Sequence, residues 1–126
     1  MNQEYYLRRA RDEARARLAR TVVAYAFGVS EKEMDAMTRR SATAAFGRQV
    51  AMYLAHISFE MSLSRVASAF GRDRTTVSHA CHLIEDRRDD PKFDLKLDGL
   101  EGLLRAAPDP AITSVNGSSL SPAQQP

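Results

Sequence analysis

The sequence predicts an all-α domain, a helix-turn-helix bundle of five to six helices that begins with a long N-terminal helix. Apolar residues recur at steps of three or four, which is the helical period, and no stretch alternates as a strand would. A chain of 126 residues has room for one hydrophobic core. Its 44% of hydrophobic residues is ordinary for a globular protein and excludes a wholly disordered chain.

The first helix is predicted from an apolar series at helical spacing, formed by Leu7, Ala10, Ala14, Leu18, Val22 and Tyr25. Arginines occupy much of the remaining surface, so this helix is amphipathic. Gly28 suits a left-handed C-terminal cap. Ser30 and Glu33 form a capping box that opens a short second helix, which we expect to end near Arg39.

A loop is expected over residues 39–47, which show no helical periodicity. Three helices with the same i, i+3, i+4, i+7 apolar spacing follow it, and Ser62 and Asp73 are suitable N-caps for the last two. Their apolar stripes are Val50, Tyr53, Leu54 and Ile57; Leu63, Val66, Ala67 and Phe70; and Val77, Ala80, Cys81 and Ile84.

Pro91 marks the start of the last helix, because the first turn tolerates a missing N–H. Beyond Pro108 the composition changes to Pro, Ser, Gln and Asn, which predicts disorder. The predicted organisation is a long amphipathic helix at residues 1–28, a helix-turn-helix domain at residues 29–107 and a disordered tail at residues 108–126.

Basic charge is concentrated in two stretches, although the net charge is only +2. Residues 1–20 carry six arginines against three acids, and residues 36–84 carry six against two, which favours a polyanion at one face. A single cysteine, Cys81, excludes an internal disulfide, and no Cys/His cluster has metal-ligand spacing. The longest apolar run has eight residues, too short for a membrane span. We expect a cytoplasmic, nucleoid-associated protein.

Only Gly71, Arg72 and Asp73 separate two of the predicted helices. A short turn with glycine between such helices is the helix-turn-helix pattern, in which the second helix enters the major groove of DNA. Helix pairs with three-residue turns also occur in bundles that bind no nucleic acid. Spacing alone therefore leaves both interpretations open.

Residues 70–81 read FGRDRTTVSHAC and closely resemble the signature of the DnaA C-terminal DNA-binding domain. Residues 48–55, RQVAMYLA, are similar to the preceding helix of that family, and Ser62 falls where the family opens its first motif helix. The resemblance covers about residues 18–106. It implies that the partner of this chain is double-stranded DNA that carries a DnaA-box-like site.

The resemblance also assigns DNA contacts to nine residues of this sequence. It implies base contacts from Asp73, Arg74, Thr75 and Thr76, and a phosphate contact from His79. It implies minor-groove contacts from Arg40 together with Arg39, and DNA backbone contacts from Arg48 and Gln49.

The sequence departs from the family at the turn and in the loop at residues 39–47, which we call the basic loop. Gly71 stands alone where two glycines are usual, so we expect a tighter turn. Arg74 replaces a usual His, which changes the expected base contact. Ala42 and Phe46 stand where Arg is frequent, and Gly47 stands where Pro is usual. These departures bear on the affinity for the initiator's own box.

The sequence contains no G-x-x-x-x-G-K-[ST] motif and no oriented pair of nucleophile and base, so we expect neither an enzyme nor a cofactor. Two functions remain open. One is a stand-alone DNA-binding module that regulates replication initiation or transcription. The other is a protein-interaction module that acts on the initiator or its regulatory ATPase through the first helix or the acidic residues 85–98. The retained motif residues favour the first function. The smaller number of arginines in the basic loop favours the second.

Overall fold

The structure is a computed structural model that describes residues 2–36 and 41–112. Within these ranges the chain forms six helices and no strand, which confirms the predicted all-α class. The helices are α1 (Gln3–Phe27), α2 (Glu31–Asp35), α3 (Ala42–Ser58), α4 (Leu63–Phe70), α5 (Arg74–Arg87) and α6 (Pro91–Arg105). None of the described helices is long and apolar enough to cross a membrane.

Side-chain caps begin most of these helices. Ser30, Ser41, Ser62 and Asp90 each accept a hydrogen bond from the backbone N–H three residues later, which satisfies a donor that the helix itself leaves free. Gly28 ends α1 in the left-handed conformation with φ 66°, as predicted. Local sequence signals therefore determine where these helices begin and where α1 ends.

Helix α3 forms the centre of the bundle and contacts all five other helices. Six consecutive residues at its middle, from Val50 to Ala55, are buried, so its whole circumference faces protein there. Buried side chains from the other helices, among them Met34, Ile84 and Leu97, complete this core. All the helices therefore share a single hydrophobic core, as the chain length predicted.

The apolar series predicted for the first helix does not form the side of α1 that is buried in the core. The buried residues of α1 are instead Asp12, Ala16, Ala19 and Val23, whereas Tyr25 is 91% exposed. The alanines lie in the buried strip because small side chains let α1 approach α3 and α4 closely. Periodicity located a helix here correctly but did not identify its buried face.

The loop predicted over residues 39–47 is also wrong from Ala42 onward, because α3 begins there. The Ser41 hydroxyl accepts a hydrogen bond of 3.0 Å from the Ala44 N–H and caps the helix. Gly47 lies against α2 and the residues before it, where an added Cβ would be 3.1 Å from a Val29 methyl carbon and 3.3 Å from the Met34 sulfur. The small residues that suggested a loop are thus packing residues. The second helix ends at Asp35, earlier than expected.

Arg88, at the C-terminal end of α5, joins three helices through its side chain, which is 13% exposed. Its guanidinium donates to Asp94 and Asp98 at 2.6 Å each, to the buried Glu101, and to the Tyr53 hydroxyl at 3.2 Å. Burial lowers the Arg88 pKa, but the hydrogen bonds to Glu101 and Asp94 outweigh this effect and raise it. The guanidinium therefore remains charged inside an acidic cage.

Replacing Arg88→Met should lower the free energy of unfolding by about 3 kcal/mol, because it leaves the buried Glu101 carboxylate with only its 3.4 Å contact to the exposed Arg105. Urea denaturation followed by circular dichroism measures this loss. Lys92→Met is the control, since it removes an exposed cation from α6 and should change stability by less than about 0.5 kcal/mol. Equal effects of the two substitutions would show that the cage does not stabilise the fold.

Candidate nucleic-acid interface

The turn between α4 and α5 is a short, hydrogen-bonded connection at residues 71–73. Gly71 has φ 65°, and its N–H donates to the Ser68 carbonyl while the Arg72 N–H donates to the Ala67 carbonyl at 2.9 Å. This pair of bonds is the Schellman arrangement, which requires a left-handed residue at the position of Gly71. The single glycine is thus sufficient to close the predicted helix-turn-helix.

Helix α5 buries one side and exposes the other. Val77, Ala80 and Ile84 face the core. The exposed residues at its N-terminal end, which we call the reading head, are Asp73, Arg74, Thr75, Thr76 and His79. Within the described residues, none of these five side chains makes a hydrogen bond or an ion pair with another residue. Donors and acceptors on the reading head therefore face solvent.

The chemistry of the reading head suits a polyanion with readable edges. Arg74 offers paired donors, Thr75 and Thr76 offer hydroxyl and methyl groups, and the Asp73 carboxylate is an acceptor that leaves the helix uncapped. The first turn of α5 also exposes unpaired backbone N–H groups, which carry partial positive charge. The arrangement can form hydrogen bonds with base edges and phosphates together.

Two arginines fasten the end of α2 beside the helix-turn-helix. Arg48, on α3, donates to the Met34 carbonyl at 3.1 Å, and Arg72, in the turn, donates to the Ala36 carbonyl at 2.9 Å. These carbonyls lie just before residues 37–40. The structure therefore places Ala36, the last described residue before them, next to the turn. No local sequence pattern indicates this role of Arg72, because its partner lies 36 positions away.

Of the other predicted site residues, the structure describes only the two on α3. Gln49 is half-buried on α3, next to Arg48 in the chain. Arg39 and Arg40 lie outside the described residues. The structure thus brings five predicted residues together on α5 and places two more on α3.

Helix α1 is joined to α4 by polar and cation–π contacts. The buried Asp12 carboxylate accepts hydrogen bonds from Arg65 Nε at 2.8 Å and Nη2 at 2.6 Å. The hydrogen bond to Asp12 raises the pKa of Arg65. Arg9 donates to the Ser68 hydroxyl at 2.6 Å, and the Arg20 guanidinium lies 5.3 Å from the Phe70 ring centroid. These contacts limit the orientations available to α4.

Cys81 belongs to the packing of α5 rather than to its chemistry. Its side chain packs against the core, and burial raises the pKa of its thiol to about 11. The thiol is therefore protonated near neutral pH, as expected for a core cysteine. Within residues 2–36 and 41–112, no group of three His, Cys, Asp or Glu side chains could hold a metal ion.

Three comparisons with known proteins agree on one family. The family model described as bacterial dnaA protein helix-turn-helix matches residues 18–84. The chain is 38% identical over 87 residues to the chromosomal replication initiator protein DnaA of Symbiobacterium thermophilum. It is 40% identical over 85 residues to the same protein of Levilactobacillus brevis. These alignments cover 68% and 66% of this chain but 19% of each relative, so the chain spans about a fifth of their length.

A solved structure supports the same relationship at the level of the fold. The crystal structure of a DNA replication initiation factor superposes with a TM-score of 0.68 and 27% sequence identity. The superposition covers 81% of this chain and 31% of the other.

Replacing Gly71→Ala should lower the free energy of unfolding by about 1 to 2 kcal/mol. The loss comes from the backbone alone, since an added Cβ would meet nothing within 4 Å. Gly71→Asn should cost less, because Asn tolerates the left-handed conformation better than Ala does. Thermal or urea denaturation ranks the three proteins. An alanine variant as stable as the parent would contradict the left-handed turn.

Proposed function

Because this chain belongs to the family of bacterial DnaA helix-turn-helix domains, we propose that it binds double-stranded DNA sequence-specifically and regulates replication initiation. The observation that carries the proposal is the reading head, whose polar side chains face solvent at the start of the second helix of a helix-turn-helix. In such motifs the N-terminal residues of the second helix contact base edges in the major groove.

Within this proposal, some side chains of the reading head contact bases and others contact phosphates. Arg74 forms paired hydrogen bonds with guanine O6 and N7, and the threonine methyl groups contact thymine methyl groups. Asp73 accepts a hydrogen bond from a cytosine amino group, and His79, six residues further on, contacts a phosphate. The exposure of all these side chains supports the assignment.

The remaining contacts come from α3 and from the loop that precedes it. We assign DNA backbone contacts to Arg48 and Gln49, and minor-groove contacts to Arg40 together with Arg39. Support for the loop assignment comes from the arginine contacts at the Met34 and Ala36 carbonyls, which hold the residue that precedes positions 37–40 beside the turn. A loop anchored at that point loses less conformational entropy when it contacts DNA.

A second candidate is a protein-interaction module that acts on the initiator or its regulatory ATPase. The exposed apolar residues of α1, Tyr25 above all, favour this alternative. The two functions differ in which surface matters. The reading head carries DNA binding, whereas α1 or the acidic residues would carry partner binding.

Affinity for a duplex with a DnaA-box-like site should fall with salt at a slope of log K against log salt of roughly −4 to −5, since about four to six phosphates are neutralised. Thr75→Ala should reduce discrimination against a scrambled duplex by about 1 kcal/mol or more, and Arg40→Ala should weaken binding to both. Fluorescence anisotropy titrations measure these values.

Lys92→Ala is the matched control for these titrations, because it removes an exposed cation away from the reading head. It should leave both affinities unchanged. A slope near zero, or no binding at low salt, would reject DNA reading in favour of the protein-interaction module.

Overproducing the chain in its host should change the number of origins per cell, measured by flow cytometry after replication run-out. A Thr75→Ala, Thr76→Ala double variant should have no effect if the activity depends on reading DNA. An unchanged count with the parent chain would remove the replication role. A change that persists in the double variant would transfer the activity to partner binding.

A further inference from the structure

One side of α5 forms a continuous exposed strip that runs from the reading head towards the other end of the helix. Thr75, His79, His82 and Asp86 follow one another at steps of three or four residues, and all four are exposed. Such steps keep side chains on one side of a helix, here the side opposite the core. We call these four residues the outer strip of α5. A partner that lies along this strip from the reading head meets Asp86 at its end.

The carboxylate at the end of the outer strip has no counter-charge. Within the described part of the chain, the Asp86 side chain forms neither a hydrogen bond nor an ion pair. Arg87 points to another side of α5, where its guanidinium lies 4.8 Å from the Phe46 ring centroid, and Arg88 is held by acids of α6. Asp89, three residues after Asp86, adds a second exposed acid. The end of the outer strip therefore carries uncompensated negative charge.

The folded chain gains no stability from the charge of Asp86. This residue lies in the last turn of α5, where the helix dipole places partial negative charge, so a carboxylate is unfavourable there. The nearby Asp89 adds repulsion between like charges. The effect of Asp86 is therefore to be sought on the surface that the outer strip presents to a partner.

The length of the outer strip matches the width of a major groove. At a rise of about 1.5 Å per residue, the helix advances about 10 Å from Thr75 to His82, and Asp86 lies about 6 Å further on. A major groove is about 12 Å wide, and the two phosphate backbones form its edges. A helix whose N-terminal residues contact base edges therefore brings Asp86 to the level of the phosphates.

The charges along α5 have the same direction. Arg74 and the unpaired backbone N–H groups make the N-terminal end positive, whereas Glu85 and Asp86 make the other end negative. Glu85 accepts a hydrogen bond from the Tyr53 hydroxyl, which leaves Asp86 as the unbonded carboxylate of the two. A charge distribution of this kind turns the N-terminal end of α5 towards a polyanion and its C-terminal end away.

We propose that Asp86 repels the DNA backbone and limits the DNA contact of α5 to the part of the outer strip that precedes it. The inference rests on the proposed DNA binding and adds a residue that opposes it. Phosphates are the same in every sequence, so the repulsion lowers the affinity for all duplexes by the same factor. Less of the chain is then held on unrelated DNA, and binding depends more on the base contacts of the reading head.

Anisotropy titrations of Asp86→Asn and Asp86→Lys over a salt series test the repulsion. Asp86→Asn should raise the affinities for the DnaA-box-like duplex and for the scrambled duplex about threefold, and Asp86→Lys should raise both about tenfold. The ratio of the two affinities should stay the same, because phosphates carry no sequence information. Asp86→Lys should also make the slope of log K against log salt steeper by about one, since it adds one phosphate contact.

Glu4→Gln and Glu4→Lys are the matched controls, because they change the net charge by the same amounts at an exposed acid on α1. They should leave both affinities and the salt slope close to those of the parent chain. Asp86 is exposed and makes no side-chain bond, so its variants should fold, which circular dichroism verifies.

The outcomes separate this inference from the proposed function. If the parent chain binds DNA and the Asp86 variants change neither affinity nor slope, Asp86 does not repel the backbone, while DNA binding stands. Equal effects of Glu4→Lys and Asp86→Lys would also overturn the inference, because net charge alone would then explain them. Binding that is measurable only after Asp86→Asn would support the repulsion. No binding by the parent or by either Asp86 variant at low salt would reject DNA binding itself, and this inference with it.

Discussion

The burial of α3 on every side is the constraint on which the rest of the structure depends. Each of the other five helices packs against the same helix, so α3 determines their positions relative to one another. Val50 and Leu54 at its middle are fully buried, and the close packing there leaves little tolerance for changes of volume. The helix-turn-helix and the α1–α6 pair are therefore positioned by one shared core.

Arginines then determine how the outer helices are oriented on that core. Arg65 joins α4 to α1, Arg72 joins the turn to the end of α2, and Arg88 joins α5 to α3 and α6. Hydrogen bonds of a planar guanidinium have a fixed geometry, which apolar contacts lack. The abundance of arginine consequently has two causes in this chain. Some arginines hold the fold, whereas Arg74 is exposed on α5.

The two surfaces that remain available lie on different helices and differ in chemistry. The reading head is polar and lies on α5, where unpaired backbone donors add positive charge. The other surface is apolar and lies on α6, where Leu95 and Leu103 are exposed. Polar groups with readable donors suit a nucleic acid, and an exposed apolar strip suits a protein helix.

By itself, the sequence determined the all-α class, the turn at Gly71, the caps at Ser30 and Ser62, and the start of the last helix at Pro91. These features follow from local interactions, because a cap, a left-handed glycine and a helical period involve residues within one or two turns of each other. Helix α3 departed from the prediction at its start. Small residues near Gly47 look like a loop until α2 is seen packed against them.

Only the tertiary structure decided which side of α1 is buried and what the arginines do. The apolar series from Leu7 to Tyr25 competes with a second strip of alanines around Asp12, and both have helical spacing. The second strip is buried because Arg65, 53 positions away, neutralises Asp12 and small side chains allow close approach. A local pattern cannot specify a contact over that separation. The physical reason is that burial of a charge depends on a partner that only folding brings near.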